Sequence, residues 1–112
     1  MIKKEVVTIA SGAAESDAFE VREGMFVMLQ MPSTWTAASL GFKVATEQGG
    51  SYLPLYDEYG NLLALTVAAS TTIRVPVTWL AGCPWVKLWS ETAGADVHQG
   101  GARAITIVCS WN

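Results

Sequence analysis

Residues 39–61 read SLGFKVATEQGGSYLPLYDEYGN, and their spacing decides the fold class. Leu40, Phe42 and Val44 alternate with Gly41, Lys43 and Ala45. That period of two gives a pleated strand one apolar edge and leaves the other for water. Gln48-Gly49-Gly50-Ser51 follows, with residues able to take the positive φ that the favoured two-residue hairpin turns demand, so a tight hairpin is expected. Beyond it Tyr52, Pro54 and Tyr56 share one face and Leu53 and Leu55 the other, until Glu58-Tyr59-Gly60-Asn61 turns the chain again. Pro54 has no N–H to give a ladder, which puts this strand at an edge or a bulge.

The same pattern recurs on both sides. Residues 18–22 alternate Phe19 and Val21 with polar or small neighbours. In residues 25–31 one face carries Met25, Val27, Leu29 and Met31 and the other Phe26, Met28 and Gln30, so both faces are largely apolar. Such a strand is central to a sandwich or lies beneath another subunit. Residues 62–67, 71–75, 85–90 and 103–111 supply further strands, the last with Ile105, Ile107, Cys109 and Trp111 aligned. Residues 32–38 break the alternation and read as a turn or one helical turn, with Trp35 plugging one end of the core, and residues 91–101 read as a loop. Residues 5–9, EVVTI, are either a first strand of the chain's own sheet or, with the rest of residues 1–12, an extended arm for a neighbouring chain. The sum is about eight short strands at regular spacing: a single all-β domain over residues 1–112, an antiparallel β-sandwich or barrel.

Composition adds a constraint. Of the 112 residues, 51% are hydrophobic and only 15% charged, against about 25% charged in an ordinary soluble domain. A small domain keeps much of its chain at the surface, so the apolar surplus is expected to be covered by partner chains, most simply in a homo-oligomer. A net charge of −3 and a pI near 4.9 argue against a nucleic-acid partner, which would want a basic stripe. The longest uncharged run, residues 24–42, is interrupted by Gln30, Pro32 and several hydroxyl residues, so no membrane helix is expected. Lys3 and Lys4 lack the apolar run of a secretory signal behind them, and an intracellular origin is expected. Cys83 and Cys109 fit no metal spacing beside the single histidine; both are expected to be free thiols, and no cofactor is expected.

Chemistry is hard to assemble from these residues. His98 could be joined on paper to Asp96 and a serine, but no nucleophile elbow accompanies it, and a solvated loop histidine is the simpler reading. Asp57 and Glu58 sit side by side in a turn without the acidic repeat of a calcium loop, and turn chemistry accounts for them. The chain is therefore not expected to be an enzyme. Protein contact is the more natural use of its aromatics. Trp85 and Trp89 flank Lys87; if lysine marks the outer face of that strand, two tryptophans stand outside. The candidate interface residues are Trp85, Lys87, Trp89 and Trp111, with Val6, Val7 and Ile9 of the N-terminal segment.

Residues 27–35 (VMLQMPSTW), 40–44 (LGFKV), the Gly-Gly turn, 52–57 (YLPLYD), Gly60 and 85–88 (WVKL) together resemble the jelly-roll cement, decoration or stapling proteins that coat the heads of tailed bacteriophages. Where that resemblance implies Ser-x-Asp-Gly, this chain has Thr46-Glu47-Gln48-Gly49. The resemblance implies a jelly-roll-like fold and a structural role. A homodimer or homotrimer would bind the major capsid protein across its joints on the capsid exterior, after assembly in the host cytoplasm. The other function in view is a carbohydrate-binding or adhesion module that stacks sugars on Trp85, Trp89 and Tyr56. A head-fibre or tail component of the same virion is a third.

Overall fold

The computed structural model describes residues 1–111, and all regular structure among them is β. The strands are β1 (Ile2–Ile9), β2 (Glu15–Glu20), β3 (Phe26–Gln30), β4 (Ser39–Ala45), β5 (Leu53–Pro54), β6 (Ala64–Leu65), β7 (Thr72–Val75), β8 (Trp85–Thr92), β9 (Ala95–Asp96) and β10 (Arg103–Ser110). Every pairing is antiparallel. The order is β5-β4-β8-β2-β1-β10-β3-β7, one curled sheet, with β6 attached to β4 and β9 to β8. The all-β fold is the expected one; β6 falls within the strand expected at residues 62–67, while β9, inside the expected loop 91–101, brings the count among the described residues to ten.

The curl makes two walls. Val7, Ile9, Val27, Leu29, Val75, Ile105, Ile107 and Cys109 line one; Phe19, Leu40, Phe42, Val86 and Leu88 line the other. These residues alternate along their strands because the pleat sends successive side chains to opposite faces. Each fully covered Val, Leu, Ile or Phe contributes roughly 1.5–3 kcal/mol, and this shared core is what holds the walls together. Phe42 meets Trp79 edge-on at 6.1 Å, and Trp35 is half-buried at the core's rim with its Nε1 donating to the Ala38 carbonyl at 3.2 Å.

β1 is not a free arm. It pairs with β10 along its whole length, from Ile2↔Ser110 to Ile9↔Arg103, and is an inner strand of the chain's own sheet. Its ladder with β2 is the single pair Ile9↔Ser16, where the sheet turns from one wall to the other, and beside it the Thr8 N–H donates to Asp17 Oδ2 at 3.2 Å. A bulge follows: the β2–β8 register shifts between Glu15 and Ala18. The Ser16 hydroxyl accepts the Leu88 N–H at 2.9 Å, supplying the ladder bond that the extra residue would cost.

Two expected turns differ. Gly49 and Gly50 do not take positive φ, and β4 and β5 are joined by a longer loop, since pairing resumes only at Val44↔Leu53. Gly50 is there for room, because a β-carbon would lie 3.1 Å from the Glu47 carbonyl oxygen that its own N–H bonds at 3.0 Å. Conversely, residues 91–101 are not all loop: β8 runs on to Thr92 and returns as β9 through Ala93-Gly94, both at positive φ (52° and 83°), a two-residue hairpin turn. Glu91, itself buried, accepts the Gly94 N–H at 2.7 Å.

One buried polar side chain ties three connections together. Gln99 Nε2 donates to the Thr36 carbonyl (3.1 Å) and Ser90 Oγ (2.8 Å), while its Oε1 accepts from Thr36 N–H (2.9 Å) and Arg103 Nε (3.0 Å). Its backbone bonds Gly12 and Ala13. The loop of residues 32–38 is thereby fixed on the end of the sheet.

Candidate functional site

Two surfaces compete for the role of site. On the outer face of β4, β8 and β2 the alternation of β8 does send Trp85, Lys87 and Trp89 outward, yet Trp89 is only 2% exposed. The Lys43 ammonium sits 4.7 Å from the Trp89 ring centroid and pairs with Glu15 Oε2 at 2.6 Å, and Trp89 Nε1 donates to Asp96 Oδ1 at 2.7 Å. Lys43 and Lys87 face each other in register, a like-charge pair that separates its partners: Lys43 takes Glu15, and Lys87 lies 4.6 Å over the Tyr52 ring. Trp85 is half-buried. The expected pair of open tryptophans is thus corrected: Trp89 has a cation on its ring and cannot join Trp85 as a stacking platform for sugars.

Val7 and Ile9 are likewise corrected, since both point into the core and cannot reach a partner. Trp111 is half-buried against the core, with the Arg22 guanidinium 5.8 Å from its ring. His98 is exposed on its loop, and the Asp96 carboxylate accepts from Trp89. Cys83 and Cys109 are buried free thiols, and burial pushes both above the ordinary thiol range.

The second surface lies on the outer face of β1, β10, β3 and β7. Val6 is on it and exposed, as expected. The register sets Ile2, Lys4, Val6 and Thr8 beside Ala104, Thr106, Val108 and Ser110, then Phe26, Met28 and Gln30, then Thr72 and Arg74. Ile2 is 76% and Phe26 57% exposed, and Val77 is exposed next to them. A shallow depression of ≈ 420 Å³ beside Phe26 is walled by Ile2, Met28, Arg74, Val77 and Val108. Among the described outward residues of these four strands there are two cations, Lys4 and Arg74, and no carboxylate, the Asp17 carboxylate of β2 accepting the Thr8 N–H at 3.2 Å on the rim; neither cation makes an ion pair with a described residue. Sequence reasoning named only Val6 here. The signal for Phe26 and Met28 was the doubly apolar strand 25–31; Ile2, Val77 and Val108 join it only through the register.

A surface hairpin, whose Tyr56, Asp57 and Glu58 share a cleft with Thr78, Trp79 and Ala81, completes the surface features. Between β5 and β6 the chain leaves the sheet edge, closes with the Tyr56↔Leu62 bridge, and turns at residues 57–60. Asp57 holds the turn: Oδ1 accepts the N–H groups of Tyr59 and Asn61, each at 2.9 Å, and Oδ2 accepts Asn61 Nδ2 at 3.2 Å. The Asn61 amide foremost, then the other donors, hold its carboxyl below the usual carboxylate range. Tyr59 at the tip is 84% exposed, with Tyr56 and Glu58 also exposed.

No protein-family model matches the chain, and no curated protein does. Among solved structures it is similar to the crystal structure of SPBc2 prophage-derived protein YomS, with 15% sequence identity and a TM-score of 0.56 over 98% of this chain and 96% of that one. The likeness spans the whole fold, so the curled sheet is a shared architecture.

Proposed function

We infer that the chain is a structural, non-enzymatic component of a phage particle: a homo-oligomeric cement or decoration protein that binds the outside of the head across major capsid protein joints. The observation that carries this reading is the open apolar face of β1, β10, β3 and β7, where Ile2, Val6, Phe26 and Val77 stand in water, all but Val6 around one depression. A contiguous exposed apolar patch of this kind marks a surface made for protein contact. Covering each such side chain contributes roughly 1.5–3 kcal/mol, and once an oligomer has docked through one subunit its remaining contacts become intramolecular. The fold shared with a prophage-derived protein supports a phage setting, as does the resemblance of residues 27–88 to head-coating proteins. Purified protein is expected to co-sediment with empty phage heads and to raise the temperature at which they burst; heads that neither bind it nor gain stability would end this reading.

A further inference from the structure

The open apolar face and the exposed tip of the 56–62 hairpin have complementary chemistry. The face is cationic, with Lys4 and Arg74 unmatched by any carboxylate among its described outward residues. From Val44 to Ile73 the sequence holds Glu47, Asp57 and Glu58 and not one lysine or arginine. Packing the face on its own copy would set Lys4 and Arg74 against the same cations, which like-charge repulsion disfavours. The hairpin offers the opposite sign.

We propose that this face receives a second copy of the chain through its hairpin of residues 56–62, with the Tyr59 ring in the depression beside Phe26 and the Glu58 carboxylate against Arg74. This deepens the self-association in the reading above and rests on it. The ≈ 420 Å³ depression falls in the range of about 300–1,000 Å³ typical of clefts that hold a small organic ligand, ample for one aromatic side chain. Tyrosine at the tip brings large area on few rotatable bonds, and the Asp57 bonds fix the turn before contact, so little order has to be gained on binding. Arg74 can meet a carboxylate in a two-pronged geometry that a lysine cannot.

The test is sedimentation velocity and light scattering on the full chain, the variants Tyr59→Ala, Arg74→Glu and Glu58→Arg, and a mixture of the last two. Wild type is expected to associate, and each variant to weaken association by about tenfold or more, the loss of one well-seated anchor. The mixture is expected to recover, because each partner then meets the opposite charge. Far-UV circular dichroism and melting check the fold, which Tyr59→Ala at an exposed tip leaves intact. A monomeric wild type, or an oligomer that all three variants leave unchanged, overturns the proposal. Co-sedimentation with heads separates the two readings. Variants that remain oligomeric but lose head binding refute the hairpin contact and keep the cement function; a wild type that self-associates through the hairpin yet ignores heads does the reverse.

Discussion

The benzo ring of Trp89 lies against Gly41, its register partner on the neighbouring strand: a β-carbon built on Gly41 would stand 3.1 Å from Trp89 Cε3 and 3.3 Å from Glu91 Cγ. The missing side chain is what lets an indole lie flat on the sheet under Lys43. Gly41→Ala is expected to lift that ring and cost about 1–3 kcal/mol, the usual range for overpacking. The denaturation midpoint should fall and the tryptophan emission shift to the red; an unchanged midpoint would mean that the ring has slack to move.

Gln99→Leu keeps the volume and removes four hydrogen bonds at one stroke. Buried donors and acceptors left without partners cost about 1–3 kcal/mol each, partly recovered where water reaches them. The expected readout is local: the Thr36 amide, which now bonds Gln99 Oε1, should exchange with solvent far faster than amides of β10. Equal protection in the variant would show that the loop holds itself.

Ala93 occupies the left-handed region at φ 52°, a conformation that costs an ordinary L-residue roughly 1–2 kcal/mol. Asparagine before glycine is the preferred pair for this turn. Ala93→Asn is expected to stabilise the fold by about 0.5–1 kcal/mol, seen as a higher melting temperature, and a drop would point to a contact made by the alanine methyl.

The buried thiols predict alkaline lability. Burial raises the folded-state pKa of Cys83 and of Cys109, the latter also by the charge of Glu5 and with Lys3 opposing. Below the unfolded thiol pKa, about 8.5, both states are protonated and stability is at its full value; above it the unfolded chain gives up protons that the fold retains, so stability falls as pH rises. Urea midpoints at neutral and alkaline pH should show this decline, and the Cys83→Ala/Cys109→Ala variant should flatten it. An identical decline in that variant would assign it to other groups.

Strand positions and faces are legible in the alternation because the pleat imposes it locally; Leu40, Phe42, Ile105 and Ile107 are all where period two sends them. Coverage is not local. β8 does turn Trp89 outward, but whether water reaches it depends on Lys43 and Asp96, which arrive from other strands. The β2 bulge brings Ser16 and Phe19 inward three residues apart, a spacing that alternation cannot express. Gly49-Gly50 illustrates a third limit, since glycine marks either a left-handed turn or a place without room, and only the Glu47 carbonyl shows which. The size of the apolar surplus follows from composition. Its location needs the register that sets Ile2 and Val108 beside Phe26.

The pairing of β1 with β10 has a bearing on birth at the ribosome. The Met1 amino group donates to the Trp111 carbonyl at 2.6 Å, across 110 positions of sequence. The partner strand for the first residues is therefore translated about a hundred residues after them, and in the interval Ile2, Val6, Val7 and Ile9 belong to a nascent chain that lacks its principal ladder. Closing so long a loop makes this pairing slow and leaves a sticky segment exposed until β10 arrives.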